Sequence, residues 1–167
     1  MATSGTSSPK NIRQLELREI TTWFKERGGQ SFRAKQVYEW LWKKSALSFD
    51  DMSNLPKDTR EALKNDFVIN QFANVISQIS TDGTIKNAFQ LYDNKRVEGV
   101  LIPAEKRMTA CISSQVGCSL ECKFCATGRL KRERNLGADE IYDEVVFIQK
   151  QTLEKYKTPL TNIVYMG

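Results

Sequence analysis

Three closely spaced cysteines constrain this chain more than any other feature. Cys118, Cys122 and Cys125 form a C-x3-C-x2-C pattern, and the fourth cysteine of the chain, Cys111, lies shortly before them. Thiolates this close in sequence can converge on one soft metal centre, because a single loop can point them inward. Iron–sulfur clusters usually take four thiolate ligands. Three cysteines on one loop therefore indicate a cluster with one iron left open to a ligand that the protein does not supply.

A zinc site is the alternative interpretation of the same cysteines. Zinc is usually bound by two separated C-x2-C pairs or by paired cysteines and histidines, and the chain contains no histidine. A structural zinc site with four thiolates, Cys111 included, stays open, although its spacing is unfavourable. On spacing alone, Cys111 is otherwise a spare thiol or a small buried hydrophobic residue.

Composition indicates a compact protein without a membrane segment. Hydrophobic residues make up 40% of the 167 residues. The net charge of +5 is a modest lean toward polyanionic partners, and on charge alone an ordinary protein with a slight excess of lysine is the favoured interpretation. No apolar run approaches the ~20 residues that a membrane-spanning helix needs. The N-terminus is rich in Ser and Thr and lacks the apolar core of a signal peptide. We expect residues 1–10 to form a disordered tail and the protein to be cytoplasmic.

Hydrophobic periodicity divides the rest of the chain into a helical part and a part rich in strands. Three segments carry the helical period: 17–27, 33–44 and 56–66. They predict a helical accessory domain over 11–70. The period then changes to that of strands, and Asp82-Gly83 predicts a hairpin turn. Antiparallel strands are therefore expected over 71–106.

The segment 107–167 predicts one parallel βαβ unit. A strand over 107–113 leads into the cysteine loop, a helix follows over 138–154, and a second strand spans 162–166. The apolar face of the helix consists of Ile141, Val145, Ile148 and Thr152. A parallel sheet needs both faces covered, which two strands and one helix cannot do. The expected fold is thus α/β, with a domain that continues beyond this chain.

A longer string of residues around the cysteines carries a family resemblance. It runs Cys111-Ile-Ser-Ser-Gln-Val-Gly-Cys118, then Phe124-Cys-Ala-Thr-Gly128 and Arg134-Asn-Leu136, with Phe32-Arg-Ala-Lys-Gln36 upstream and Asn162-Ile-Val-Tyr-Met-Gly167 downstream. The three-cysteine pattern alone resembles the signature of radical S-adenosylmethionine (AdoMet) enzymes. The wider string is similar to the RlmN/Cfr family of RNA adenosine methyltransferases. The resemblance implies that the last segment of the chain begins a partial (β/α) barrel.

The resemblance also implies roles for individual residues. In the family, the cysteines matching Cys118, Cys122 and Cys125 bind three irons of a [4Fe–4S] cluster, and AdoMet binds the fourth iron. The residue matching Cys111 helps to resolve a covalent RNA–enzyme adduct by forming a disulfide with a methyl-carrying cysteine near the C-terminus. No cysteine follows Cys125 in this chain. Glu98 matches the proposed proton acceptor, a role that suits a carboxylate of tuned pKa.

Basic residues beside the cysteines are candidates for contact with RNA phosphates. A solvated loop whose cations pair with Glu121 and Glu133 is the other interpretation of the same residues. The candidates are Lys123, Arg129, Lys131, Arg132 and Arg134.

The resemblance implies an enzyme that methylates carbon-2 of adenosine in 23S rRNA and tRNA. The Cfr branch, which methylates carbon-8, is the nearest alternative. A non-catalytic iron–sulfur or zinc RNA-binding module is the alternative from a different class. The expected partners are 23S rRNA, tRNA and an electron donor such as flavodoxin. A segment that contacts AdoMet in the family does not occur in the chain, so we expect this length of chain to be inactive alone.

Overall fold

The structure is a computed structural model that describes residues 9–120, 122–123 and 125–166. The disordered tail expected over 1–10 lies almost wholly outside these described residues. The chain divides into two compact units, which are described separately below.

In the first unit, Met1–Asn70, the described residues form three α-helices, two 3₁₀ helices and a pair of short strands. Its elements are β1 (Lys10–Asn11), a 3₁₀ helix (Ile12–Gln14), α1 (Leu17–Glu26), α2 (Phe32–Trp42), a second 3₁₀ helix (Phe49–Asp51), α3 (Lys57–Asp66) and β2 (Phe67–Val68). β1 and β2 pair in parallel, so the first described strand of the unit lies beside its last. The three predicted helices are confirmed, with ends within two residues of those expected.

Capping and apolar packing account for the helices of this unit. α1 begins with a capping box, in which the carboxylate of Glu19 accepts the backbone N–H of Glu16 at 2.7 Å. Ile20 and Trp23 on its inner face are buried in the core of the unit. The indole N–H of Trp23 donates to the carboxylate of Asp66 at 2.7 Å. This bond ties α1 to the end of α3.

The second unit, Gln71–Gly167, is built on a five-stranded sheet. Its elements are β3 (Asn74–Ile79), β4 (Ile85–Gln90), β5 (Arg96–Ala104), β6 (Arg107–Ile112), β7 (Gln115–Val116), a 3₁₀ helix (Thr127–Arg129), β8 (Arg134–Asn135), α4 (Ala138–Tyr156) and β9 (Asn162–Tyr165). The strand order is β3-β4-β5-β6-β9, and only the β6–β9 pair is parallel. β6, α4 and β9 therefore form the predicted βαβ unit.

Helix α4 covers one face of this sheet. The rings of Phe89 on β4 and Phe147 on α4 meet edge to face, with centroids 5.4 Å apart. Ile148 is fully buried in the same core. The side-chain amides of Asn87 and Gln151 exchange two hydrogen bonds of 2.9 and 2.8 Å. Apolar packing and a satisfied polar pair thus hold the helix to the sheet.

The opposite face of the sheet carries side chains that are exposed or half-buried. They include Lys86 on β4, Glu98 and Val100 on β5, and Cys111 on β6. Successive side chains of a strand point to opposite faces, and the register pairs Val100 with both Lys86 and Cys111. We call this surface the open face of the sheet.

The predicted α/β fold class is confirmed by these elements. The helix expected over 138–154 extends to Tyr156, because the chain leaves it only at Lys157, which adopts the left-handed conformation typical of a helix end. Among the residues that the structure describes, no helix combines the length and the apolar character needed to cross a membrane.

Ile148→Ala should lower the stability of the second unit by about 2–5 kcal/mol, because it leaves a cavity between α4 and the sheet. Leu153→Ala is the matched control, since this position on the same helix is 45% exposed; it should change stability by less than about 1 kcal/mol. Urea unfolding followed by circular dichroism measures both. Equal losses would contradict the packing of α4 through Ile148.

Candidate metal centre and active-site face

The cysteine loop leaves the carboxyl end of β6 and is closed at its base. β7 and β8 pair as an antiparallel ribbon, and the N–H of Glu133 donates to the carbonyl of Val116 at 2.9 Å. Further out, the N–H of Cys118 donates to the carbonyl of Leu130 at 3.1 Å. The loop therefore begins and ends at the edge of the sheet where ligand sites of open α/β sheets occur.

Gly117 allows the two arms of the loop to approach each other. Its φ of 73° lies in the left-handed region, which glycine adopts without strain. A Cβ at this position would lie 2.1 Å from the carbonyl oxygen of Lys131. Any side chain here would push the arms apart, and Cys118 would leave its place at the start of the loop.

The three predicted cluster ligands lie on this loop as free thiols. Cys118 is buried, whereas Cys122 and Cys125 are half-buried. The sulfur of Cys118 accepts the N–H of Leu120 at 3.5 Å. Across the described residues, no three His, Cys, Asp or Glu side chains are grouped closely enough to hold a metal ion. The thiols therefore do not form a closed site in this structure.

Cys111 lies on the open face of β6. Burial raises the pKa of its thiol, which favours the protonated form at neutral pH. All four cysteines are free, so the disulfide implied for Cys111 is not formed. The physical reason is the sequence, which contains no cysteine after Cys125 to act as its partner.

Glu98 lies near Cys111 on the same face. Because Val100 pairs with Cys111, Glu98 stands opposite Ser113, and the hydroxyl of Ser113 donates to the backbone carbonyl of Glu98 at 2.9 Å. Cys111 precedes Ser113 by two residues and is therefore the diagonal neighbour of Glu98. Diagonal neighbours on one face of a sheet are about 7–8 Å apart. The structure thus brings together the two residues for which the resemblance implies catalytic roles.

Lys86 is a charged neighbour of Glu98 on the open face. Its Nζ lies 2.7 Å from Oε1 of Glu98, and the two side chains are 48% and 53% exposed. An ion pair at this exposure contributes about 0–1 kcal/mol to stability. Its main effect is therefore on the orientation of the Glu98 carboxylate.

Arg134 clamps the returning arm of the loop to the rest of the unit. Its guanidinium donates to both carboxylate oxygens of Glu140 at 2.7 and 2.8 Å, and its Nε donates to Asp93 at 2.9 Å. The hydrogen bond that Arg134 donates to Glu140, followed by the one to Asp93, raises the pKa of Arg134 against the opposing effect of burial. Burial alone would raise the pKa of Asp93, but the bonds from Arg134 and from the N–H of Lys95 outweigh it and lower that pKa. Glu140 also accepts the N–H of Gly137 at 2.8 Å and so caps α4.

Glu144 is a fully buried carboxyl group beneath the start of the loop. Its Oε2 accepts the N–H of Ser113 at 3.2 Å, while its Oε1 has no hydrogen-bond partner among the described residues. Burial raises the pKa of Glu144 to about 8; the N–H of Ser113 opposes this shift and nearby Glu140 adds to it. Gly99 makes room for the group, since a Cβ there would lie 3.2 Å from Oε2. The carboxyl is therefore mainly protonated at neutral pH.

The basic residues proposed from the sequence have different surroundings. Arg134 is engaged in the clamp, and Arg132 donates to two neighbouring side chains at 3.1 and 2.7 Å. Lys123, Arg129 and Lys131 are exposed. These three have no hydrogen-bond or ion-pair partner for their side chains within the described part of the chain.

Lys86 and Glu144 were not among the residues predicted from the sequence. A signal for Glu144 was present, because it lies three residues after Ile141 and four before Ile148, on the apolar face of the helix. A carboxylate within such a stripe indicates a buried polar group. Lys86 carried no comparable signal, since its contact with Glu98 depends on the register of two strands.

Comparisons with known proteins show which class of protein the fold resembles. Its fold is similar to the solved structure of a radical SAM (that is, AdoMet) methyltransferase from Sphaerobacter thermophilus, with a TM-score of 0.75 and 34% identity. The match covers 93% of this chain and 46% of that chain. Residues 10–69 match the family described as the ribosomal RNA large subunit methyltransferase N-terminal domain. The fold is that of the radical AdoMet methyltransferase class.

Relatives with higher identity are named probable dual-specificity RNA methyltransferase RlmN. The relative from Cytophaga hutchinsonii is 58% identical over 100% of this chain and 46% of its own length. The relative from Chlorobaculum tepidum is 42% identical over 94% of this chain and 44% of its own length. The chain thus spans less than half the length of these curated relatives. Over nearly its whole length the chain is similar to the N-terminal portion of these RlmN relatives, which confirms the resemblance found in the sequence.

Glu144→Gln should make the stability of the second unit less dependent on pH. A carboxyl with a raised pKa holds its proton longer in the folded state, so stability falls as pH rises from 4.5 to about 8. The amide cannot ionise but still accepts the N–H of Ser113. The free energy of unfolding of the variant should therefore increase relative to that of the wild type as the pH rises across this window, by on the order of a few kcal/mol. Urea unfolding near both ends of the window measures the gain.

Glu154→Gln is the matched control for this experiment. Glu154 is exposed on the same helix, so its replacement should give a difference from the wild type that does not grow over that pH window. If Glu144→Gln and the wild type show the same pH dependence, Glu144 is ionised in the folded protein and its assignment as a neutral acid is wrong.

Proposed function

We propose that this chain is the N-terminal portion of a radical AdoMet methyltransferase that methylates carbon-2 of adenosine in 23S rRNA and tRNA. The names of its relatives support RNA as the substrate and methyl transfer as the reaction. The observation that carries the proposal is the cysteine loop at the carboxyl end of β6, beside a sheet face that holds Glu98 and Cys111. The RlmN name of the relatives favours carbon-2 over the Cfr-like alternative at carbon-8.

The donor set of the loop fits a [4Fe–4S] cluster. Cys118, Cys122 and Cys125 would hold three irons, and AdoMet would bind the fourth. All three are free thiols in one segment, and the N–H directed at the Cys118 sulfur is the kind of donor that tunes cluster thiolates. When bound, the cluster and AdoMet supply radical chemistry, while the protein supplies position and shelter.

The residues of the open face would handle the proton and the adduct. Glu98 would accept a proton from the substrate, with its carboxylate oriented by Lys86 at 2.7 Å. Cys111, on the adjacent strand, would help to resolve the RNA–enzyme adduct. Burial keeps its thiol protonated and so limits side reactions before the adduct forms. An electron donor such as flavodoxin and a cytoplasmic location belong to the same proposal.

Anaerobic reconstitution with iron and sulfide should load a cluster on the chain. Replacing Cys118, Cys122 or Cys125 by Ala should abolish loading in each case, because a cluster held by only three protein thiolates cannot lose one and remain bound. Iron and sulfide content, together with the visible charge-transfer absorption, measures the result.

Cys111→Ala is the matched control for these substitutions. It should leave loading nearly intact, because Cys111 lies on the sheet face and not on the loop. If Cys111→Ala lost its metal as completely as Cys118→Ala, and the wild-type protein bound zinc and was colourless, the result would instead support a zinc site with four thiolates.

Glu98→Gln in the full-length protein should slow methyl transfer to RNA by about 10²-fold or more, since a positioned proton acceptor contributes about 10²–10⁴-fold. The iron content should not change. Glu105→Gln, just after the far end of β5 and exposed, is the control and should retain the wild-type rate. Transfer of labelled methyl from AdoMet to RNA measures the effect. Unchanged turnover of Glu98→Gln would remove Glu98 from the catalytic residues.

A further inference from the structure

A basic cleft lies between the β4–β5 turn and the returning arm of the cysteine loop. The turn side contributes Lys95 and Arg96, and the loop contributes Arg129 and Lys131. Gly117 lines the same cleft, which has a volume of about 570 Å³. Two segments far apart in sequence thus place their cations around one cavity.

The charge of the cleft is strongly positive. Its lining includes four cations and a single acid, Glu133, which pairs with Lys95. Arg96, Arg129 and Lys131 are exposed. Within the part of the chain that the structure describes, their side chains have no hydrogen-bond or ion-pair partner. Cations held together in this way attract an anionic ligand.

The cleft adjoins the candidate active site. Arg96 precedes Glu98 by two residues on β5 and therefore lies on the same open face. β5 runs antiparallel to β6, so the start of β5 lies at the sheet edge where β6 ends and the cysteine loop begins. A polymer that reaches the open face from this edge would pass over the cleft.

We propose that the cleft formed by Lys95, Arg96, Arg129 and Lys131 binds the phosphate backbone of the RNA whose adenosine is presented to the open face; this inference rests on the function proposed above. Arginine binds phosphate oxygens in pairs, and lysine adds point charges with freely rotating donors. Four cations around one cleft suit a backbone that carries repeated charges.

An aromatic side chain favours RNA over an acidic protein as the occupant. Tyr92, in the turn that also holds Lys95, is 49% exposed, and the guanidinium carbon of Arg134 lies 5.8 Å from the centroid of its ring. Exposed aromatic rings beside cations are surfaces on which unpaired bases stack. The lining of the cleft selects Arg129 and Lys131 from the basic residues of the loop and adds Lys95 and Arg96 to them.

The test is the salt dependence of RNA binding by the 167-residue chain. Fluorescence anisotropy with a short single-stranded RNA gives the slope of log K against log salt. Each phosphate contact contributes about 0.7 to the magnitude of this slope. The double variant Arg96→Gln/Lys131→Gln should therefore bind more weakly, with a slope reduced by about 1.4.

The control removes the same two kinds of charge from the other end of the sheet. Lys106→Gln/Arg107→Gln changes an exposed residue of the turn between β5 and β6 and the exposed first residue of β6, and it should leave the slope unchanged. An equal reduction by both double variants would show that only net charge matters and would overturn the proposal. Equal binding of poly-glutamate, with the same loss in the cleft variant, would also overturn the assignment to RNA.

Methylation by the full-length protein separates the cleft from the proposed function. If the full-length protein methylates RNA but the cleft variant keeps the wild-type salt slope, the cleft assignment is wrong and the function stands. If methylation is absent but the cleft variant alone lowers the slope, the cleft binds RNA and the proposed reaction is wrong.

Discussion

The ion pair between Arg134 and Glu140 determines where the cysteine loop is held. Arg134 lies at the end of the returning arm, and Glu140 lies in the first turn of α4, with both guanidinium–carboxylate contacts below 3 Å. Glu140 is buried, so loss of Arg134 would leave its charge uncompensated, at a cost of about 3–5 kcal/mol. Asp93 joins the β4–β5 turn to the same guanidinium. The loop, the helix and the basic cleft therefore depend on one side chain.

A second carboxyl of α4 holds the departing arm of the loop. Glu144 lies one helical turn after Glu140 and accepts the N–H of Ser113, directly after β6. Two carboxylates at this spacing would repel each other. The structure avoids the repulsion because the guanidinium of Arg134 pairs with Glu140, whereas burial raises the pKa of Glu144 and keeps it mainly neutral. The same helix thus anchors both ends of the loop by different chemistry.

The two faces of the sheet carry different kinds of residue: one face packs the core of the unit, and the other presents the candidate reactive groups. The face under α4 contains the aromatic and aliphatic core, including Phe89 and Ile148. The open face carries the polar and reactive groups, Lys86, Glu98 and Cys111, and none of them is buried. Because side chains alternate along a strand, each of these groups is backed by a buried neighbour that holds its backbone in place.

The sequence by itself determined the features that depend on local patterns. The helices of the first unit, the βαβ order and the loop that carries Cys118 follow from hydrophobic periods, turn residues and cysteine spacing, which short-range sterics impose. Only the tertiary structure decided which residues meet across strands and between distant segments. The ion pair of Lys86 with Glu98 depends on strand register, and the presence of Arg96 and Lys131 in one cleft depends on loop closure. Sequence spacing does not encode either of these, because residues far apart in the chain come together only when the core packs.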